Sequence, residues 1–119
     1  MTEIKFRAWD KESKRFIDWD NFIGNEHGNW LMTAFQNEIY HFQQYTGIKD
    51  SEGREIYDGD ICKRNVWAFG EIRTFTGQVK MFEGCWWIDS GTAAVPLWNE
   101  MHMLEIVGNI YENPELLEN

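Results

Sequence analysis

Between Gly70 and Gly91 a glycine recurs at every seventh position: Gly70, Gly77, Gly84 and Gly91. A heptad of glycines forbids a long helix or coiled coil, because each glycine in a helix interior costs about 1 kcal/mol relative to alanine. The same spacing suits short strands joined by tight turns or bends, as in a small barrel or sandwich. It predicts strands over residues 61–67, 70–76, 77–83, 85–89 and 93–98.

The rest of the chain reads the same way. Ile4, Phe6 and Ala8 alternate with Glu3, Lys5 and Arg7, the period of a strand with one buried face. The polar run from Asp10 to Arg15 makes a turn, and Phe16-Ile17-Asp18-Trp19 returns as the second strand of a hairpin. Residues 30–35 and 39–45 are aromatic-rich strand candidates, separated from the hairpin by the loop-like stretch from Gly24 to Asn29. Asp58-Gly59 marks a tight turn with a positive-φ position. A closing strand is expected over 105–111, with Gly108 at a bulge. Asn113-Pro114-Glu115 has the cap, first-turn proline and acid of a helix start, so a helix of one or two turns ends the chain. A second helical turn is expected over 99–104. The fold class is therefore mainly β: a small SH3-like barrel or a sandwich, with a short C-terminal helix. At 119 residues it reads as a single domain, 1–119, with a subdivision into hairpins at 1–45 and a glycine-punctuated barrel at 46–119.

Composition narrows the function classes. Aromatic residues make up 16% of the chain, which excludes disorder, since disordered segments are poor in such residues. The longest uncharged stretch, His27–Asn37, is too short and too polar to span a membrane, and the N-terminus has no apolar leader core. A cytoplasmic location is expected. The formal net charge is -9, with the acids spread evenly and no basic arm, which argues against general nucleic-acid binding. Cys62 and Cys85 stand alone without metal-like spacing and read as small buried apolar residues of a reducing compartment, with a disulfide between them as the minority alternative.

Three sequence blocks carry a resemblance. They are Lys5-Phe6-Arg7-Ala8-Trp9-Asp10; Gln44 to Asp50 continuing through Gly53 to Ile61; and Val107-Gly108-Asn109-Ile110-Tyr111-Glu112-Asn113-Pro114-Glu115-Leu116-Leu117. Together, in this order, they resemble the YopX family of small phage and prophage proteins. The middle block specifies sixteen positions within eighteen residues, whereas 16–42 and 65–103 match no pattern. The resemblance implies a β-structured phage or prophage protein and transfers no catalytic or binding residue.

Four kinds of residue pattern could carry chemistry. Asp58 and Asp60, with Glu55 and Asp50 upstream, form the densest acid cluster, but they lack a calcium-loop pattern and read more simply as turn formers. His27, His41 and His102 have no ligand spacing. No nucleophile elbow or phosphate loop is present. No cofactor or metal is expected, and the chain reads as a non-enzyme.

The tryptophans remain. Trp9, Trp19 and Trp30 are assigned to the core, but Trp86 and Trp87 are adjacent on a strand and must point to opposite faces. Either the second face is covered by another element or by a partner chain, or one indole is exposed. Trp86, Trp87 and Trp98 are the candidate protein-interaction residues, in line with the enrichment of Trp at interface hot spots. The expected function is a phage accessory protein that oligomerises or binds a host or phage protein. The alternatives are a small-ligand or single-stranded nucleic-acid binder using Lys63, Arg64, Arg73 and Lys80, and an acidic DNA mimic.

Overall fold

The structure, a computed structural model, describes residues 5–19, 38–97 and 104–117. It is mainly β. Among the described residues nine strands follow in order: β1 (Phe6–Asp10), β2 (Arg15–Ile17), β3 (Tyr40–Lys49), β4 (Glu55–Tyr57), β5 (Asp60–Ala68), β6 (Glu71–Phe82), β7 (Cys85–Asp89), β8 (Ala94–Pro96) and β9 (Leu104–Asn109). The expected C-terminal helix is a single 3-10 turn, η1 (Pro114–Leu117). The strand orders are β2-β1-β3-β4 in one sheet and β8-β7-β6-β5-β9 in the other. The chain divides into two compact units, Met1–Tyr45 and Thr46–Asn119.

In the first unit, β1 pairs antiparallel with β2 and with the start of β3, so that Ala8 faces Ile17 on one side and Phe42 on the other. Ala8 is fully buried, with Ile17, Trp19, Tyr40 and Phe42 packed around it. Trp9 points to the opposite face, where its ring meets Phe16 edge-on at 4.9 Å. The polar turn closes on Asp10, whose carboxylate accepts the backbone N–H groups of Glu12 at 2.9 Å and Ser13 at 3.2 Å. These bonds, that of Ser13 foremost, hold the Asp10 carboxyl below its ordinary value. Trp30, assigned to the core from sequence, lies outside the described residues.

In the second unit, Ile56, Cys62, Val79, Ile88, Leu97 and Leu104 form a buried core, with Ile48, Phe75, Trp86, Val95 and Ile106 packed against it. Asp50 ties the β3–β4 turn to β9. Its side chain is fully buried and accepts the N–H groups of Glu52, Arg54 and Ile106 at 3.0, 2.9 and 3.2 Å and the Arg54 guanidinium at 3.0 Å. Burial pushes this carboxyl up, but the three backbone donors and Arg54 outweigh it and hold it below the usual range.

The Asp58-Gly59 turn is present, with Gly59 at φ 89 and the Asp60 carboxylate accepting the Tyr57 N–H at 2.8 Å. The β9 bulge is present too: Ile61 pairs with Gly108 but Cys62 pairs with Ile106, so Val107 is the inserted residue. The helical turn expected over 99–104 meets the described residues only at its last position. Leu104 opens β9, and 98–103 lie outside the described residues.

The two strands expected over 70–76 and 77–83 are one strand, β6. Gly77 does not break it. A Cβ at Gly77 would sit 2.6 Å from the carbonyl carbon and oxygen of Asp89, so the glycine lets the end of β7 close on β6. Gly70, Gly84 and Gly91, by contrast, have positive φ and open space where a Cβ would go. They are the turn glycines that the spacing suggested.

Candidate functional site

β6 is the longest strand, and its neighbours do not cover all of it. Its pairing with β5 runs from Ile61↔Gln78 to Ala68↔Glu71. β9 pairs with β5 only as far as Arg64↔Leu104, and β7 pairs with β6 only from Gln78↔Asp89 onward. Among the described residues the β5–β6 hairpin continues beyond those points as a two-stranded arm. Trp67 and Ile72 face each other across it, and Phe69 sits in the turn. Their exposures are 68% for Trp67, 93% for Phe69 and 66% for Ile72, so three large apolar side chains meet water at one place. Scattered exposed apolar residues need no explanation, whereas contiguous apolar clusters are a general feature of interaction surfaces.

The turn holds Phe69 at φ 53 and Gly70 at φ 80. Positive φ at both central residues is the signature of a type I′ hairpin, whose twist matches that of the strands. Asn or Gly serves best there; a phenylalanine in this region is strained. The Arg73 guanidinium lies over its ring, 5.5 Å from the ring centre. Arg73 also binds the Glu71 carboxylate at 2.6 Å. Beside the arm lies an open cleft of about 330 Å³, bordered by Thr74–Thr76 of β6, by Ser90 and Thr92, and by Leu116 and Leu117 of η1.

The structure separates Trp86 and Trp87 onto opposite faces of β7, as alternation requires. Trp86 packs against the core. Trp87 is half-buried on the other face, stacked on Phe82 at 5.0 Å with its indole N–H donated to the Phe82 carbonyl at 3.3 Å. Phe82, from the same hairpin, thus provides cover for Trp87. Trp98 lies outside the described residues, as do His27 and His102.

The other candidates are dispersed. Lys63 lies 3.6 Å from Glu105 and Lys80 3.6 Å from Asp89, while Arg64 is buried with its guanidinium on the Pro96 carbonyl at 2.7 Å. Burial lowers the Arg64 value. With Arg73 bound to Glu71, these four cations do not assemble into one groove. Asp50 and Asp60 serve turns rather than a shared site. Among the described residues no group of three or more His, Cys, Asp or Glu could hold a metal ion. Among them, too, no helix is long and apolar enough to cross a membrane. Cys62 is buried as expected, whereas Cys85, expected to be buried, is exposed at the start of β7 beside the Glu83-Gly84 turn; the two form no disulfide.

Sequence reading missed the arm. Trp67, Phe69 and Ile72 were visible as apolar residues around a glycine, but periodicity does not show where neighbouring strands stop.

The blocks that suggested a family are distributed through this fold: in β1, from β3 into β5, and in β9 with η1. The sequence pattern of the YopX protein family matches residues 5–118. The chain is 24% identical over 136 aligned positions to the SPbeta prophage-derived uncharacterized protein YopX of Bacillus subtilis (strain 168), covering 95% of each. In fold it is similar to the crystal structure of protein EF1440 from Enterococcus faecalis, with a TM-score of 0.61 and 22% identity, over 99% of this chain and 100% of that one. The chain belongs to the YopX family.

Proposed function

We propose that this chain is a prophage-type accessory protein that acts without catalysis, inside the host cell, by binding protein through its β5–β6 arm. The kinship with a prophage-derived protein supports the setting. The observation that carries the mode of action is the joint exposure of Trp67, Phe69 and Ile72 at the end of the arm. Burying a side chain of this size contributes roughly 1.5–3 kcal/mol, so three of them seated on a partner suffice for a specific contact. Among the described residues the β6 edge of the ribbon is unpaired from Glu71 to Gly77, and it offers main-chain hydrogen bonds to whatever docks there.

The test compares the wild-type chain with Trp67→Ser/Phe69→Ser by light scattering at micromolar concentration and by affinity capture from host lysate. The wild type is expected to associate and the variant to lose that association with its fold intact. A monomeric wild type that captures nothing would sink the reading. A variant that associates as well as the wild type would move the surface elsewhere.

A further inference from the structure

We propose that the partner of the arm is a second copy of this chain, joined by antiparallel pairing of β6 with its counterpart about a two-fold axis at Ile72. The inference rests on the reading above, that the arm is a protein-binding surface, and specifies its occupant.

Three observations choose a second copy. The first is an edge. Among the described residues no strand pairs with the outer side of β6 from Glu71 to Gly77, and such an edge is a template for another strand. The second is charge. Two copies that each carry a net charge of -9 repel, so they meet most readily where charge is balanced. Residues 65–77 hold one acid, Glu71, and one base, Arg73, and are neutral as a segment.

The third is self-complementarity. In a two-fold pairing centred on Ile72, Glu71 of each copy stands opposite Arg73 of the other, and Ile72 meets Ile72. The same register brings the Phe69 turn of one copy toward Phe75 of the other, beside the cleft that threonine and serine side chains line together with Leu116 and Leu117. The strained, exposed phenylalanine of the turn then has an aromatic neighbour. In the isolated chain its positive-φ conformation brings no burial in return.

The register makes a charge-swap test possible, read by sedimentation equilibrium on the full chain. Glu71→Arg places arginine against arginine, and Arg73→Glu places glutamate against glutamate. Each contact occurs twice by symmetry, so each variant alone should raise the dimer dissociation constant about tenfold. Mixing the two variants restores opposite charges at both contacts and should return the constant to near the wild-type value. The double variant Glu71→Arg/Arg73→Glu should also pair with itself.

On the wild type, hydrogen exchange of the Glu71–Gly77 amides should slow as concentration rises, which checks the edge without any substitution. A wild type that stays monomeric to high micromolar concentration, with exchange independent of concentration, overturns the second copy while leaving capture of another protein open. A dimer abolished by Trp67→Ser/Phe69→Ser but indifferent to the charge swaps overturns the pairing at Ile72 and keeps the arm. A dimer indifferent to both sets overturns this inference and the arm-binding reading together.

Discussion

The two halves of the β5–β6 hairpin are made of the same two strands and meet opposite fates. In the basal half, Cys62 and Val79 are fully buried, and β9 and β7 pair on either side. In the distal half, Trp67 and Ile72 project from a ribbon with an open edge along β6. Apolar content does not separate them; the distal half has the larger side chains. What differs is the reach of the neighbours. Burial in a sheet is conferred by adjacent strands, and an apolar strand that outruns them presents to water what its base hides.

The largest expected break in this contrast comes from truncating one isoleucine in each half. Ile88 packs at 0% exposure opposite Val79, so Ile88→Ala should cost roughly 4 kcal/mol. Ile72→Ala should change stability by no more than about 0.5 kcal/mol. Guanidinium unfolding followed by tryptophan fluorescence, at submicromolar protein, reads both. Equal losses would mean that the arm is part of the cooperative core.

Next comes the carboxylate that anchors β9 beside the basal half. Asp50→Asn keeps the shape of the side chain but loses its charge and presents an amide to three N–H donors, which should cost roughly 2–3 kcal/mol at neutral pH. The Asp50 carboxyl is held below its ordinary value, so its stabilisation is complete above about pH 4 and is lost as pH falls through the folded value. The gap between wild type and variant should therefore narrow on acidification. A gap independent of pH would show that the charge is immaterial.

The smallest expected effects come from two glycines of β6 and its turn. Gly77→Ala drives a Cβ into the Asp89 backbone and should cost about 2 kcal/mol. Gly70→Ala meets open space and pays only for positive φ, about 1 kcal/mol. Thermal unfolding should rank them in that order. The reverse order would mean that turn conformation, not the contact at the base, limits the strand.

These glycines also show what can be read from a sequence. Alternation located β1, and Asp58-Gly59, Gly108 and Pro114 located a turn, a bulge and the terminal helical turn, because each depends on chemistry confined to a few adjacent residues. Gly77 was read as punctuation because a glycine needed for a close approach looks the same as one needed for positive φ. The separation of Trp86 from Trp87 was legible, since strand alternation is local. The ring beneath Trp87 was not, because Phe82 reaches it through the register of a hairpin. Trp67 was hidden for a similar reason: its exposure depends on where β7 and β9 stop.

The inequality of the two thiols has a practical consequence. Cys62 is enclosed in the core, while Cys85 stands open just past the turn at the far end of β6 from the arm. Maleimide chemistry on the native fold will thus mark one site per chain, with no engineered cysteine. A spin label or fluorophore placed there turns the long strand into a ruler whose zero is the turn and whose scale is the strand rise. Separations between two such marks would report how chains are arranged without any substitution in the arm itself.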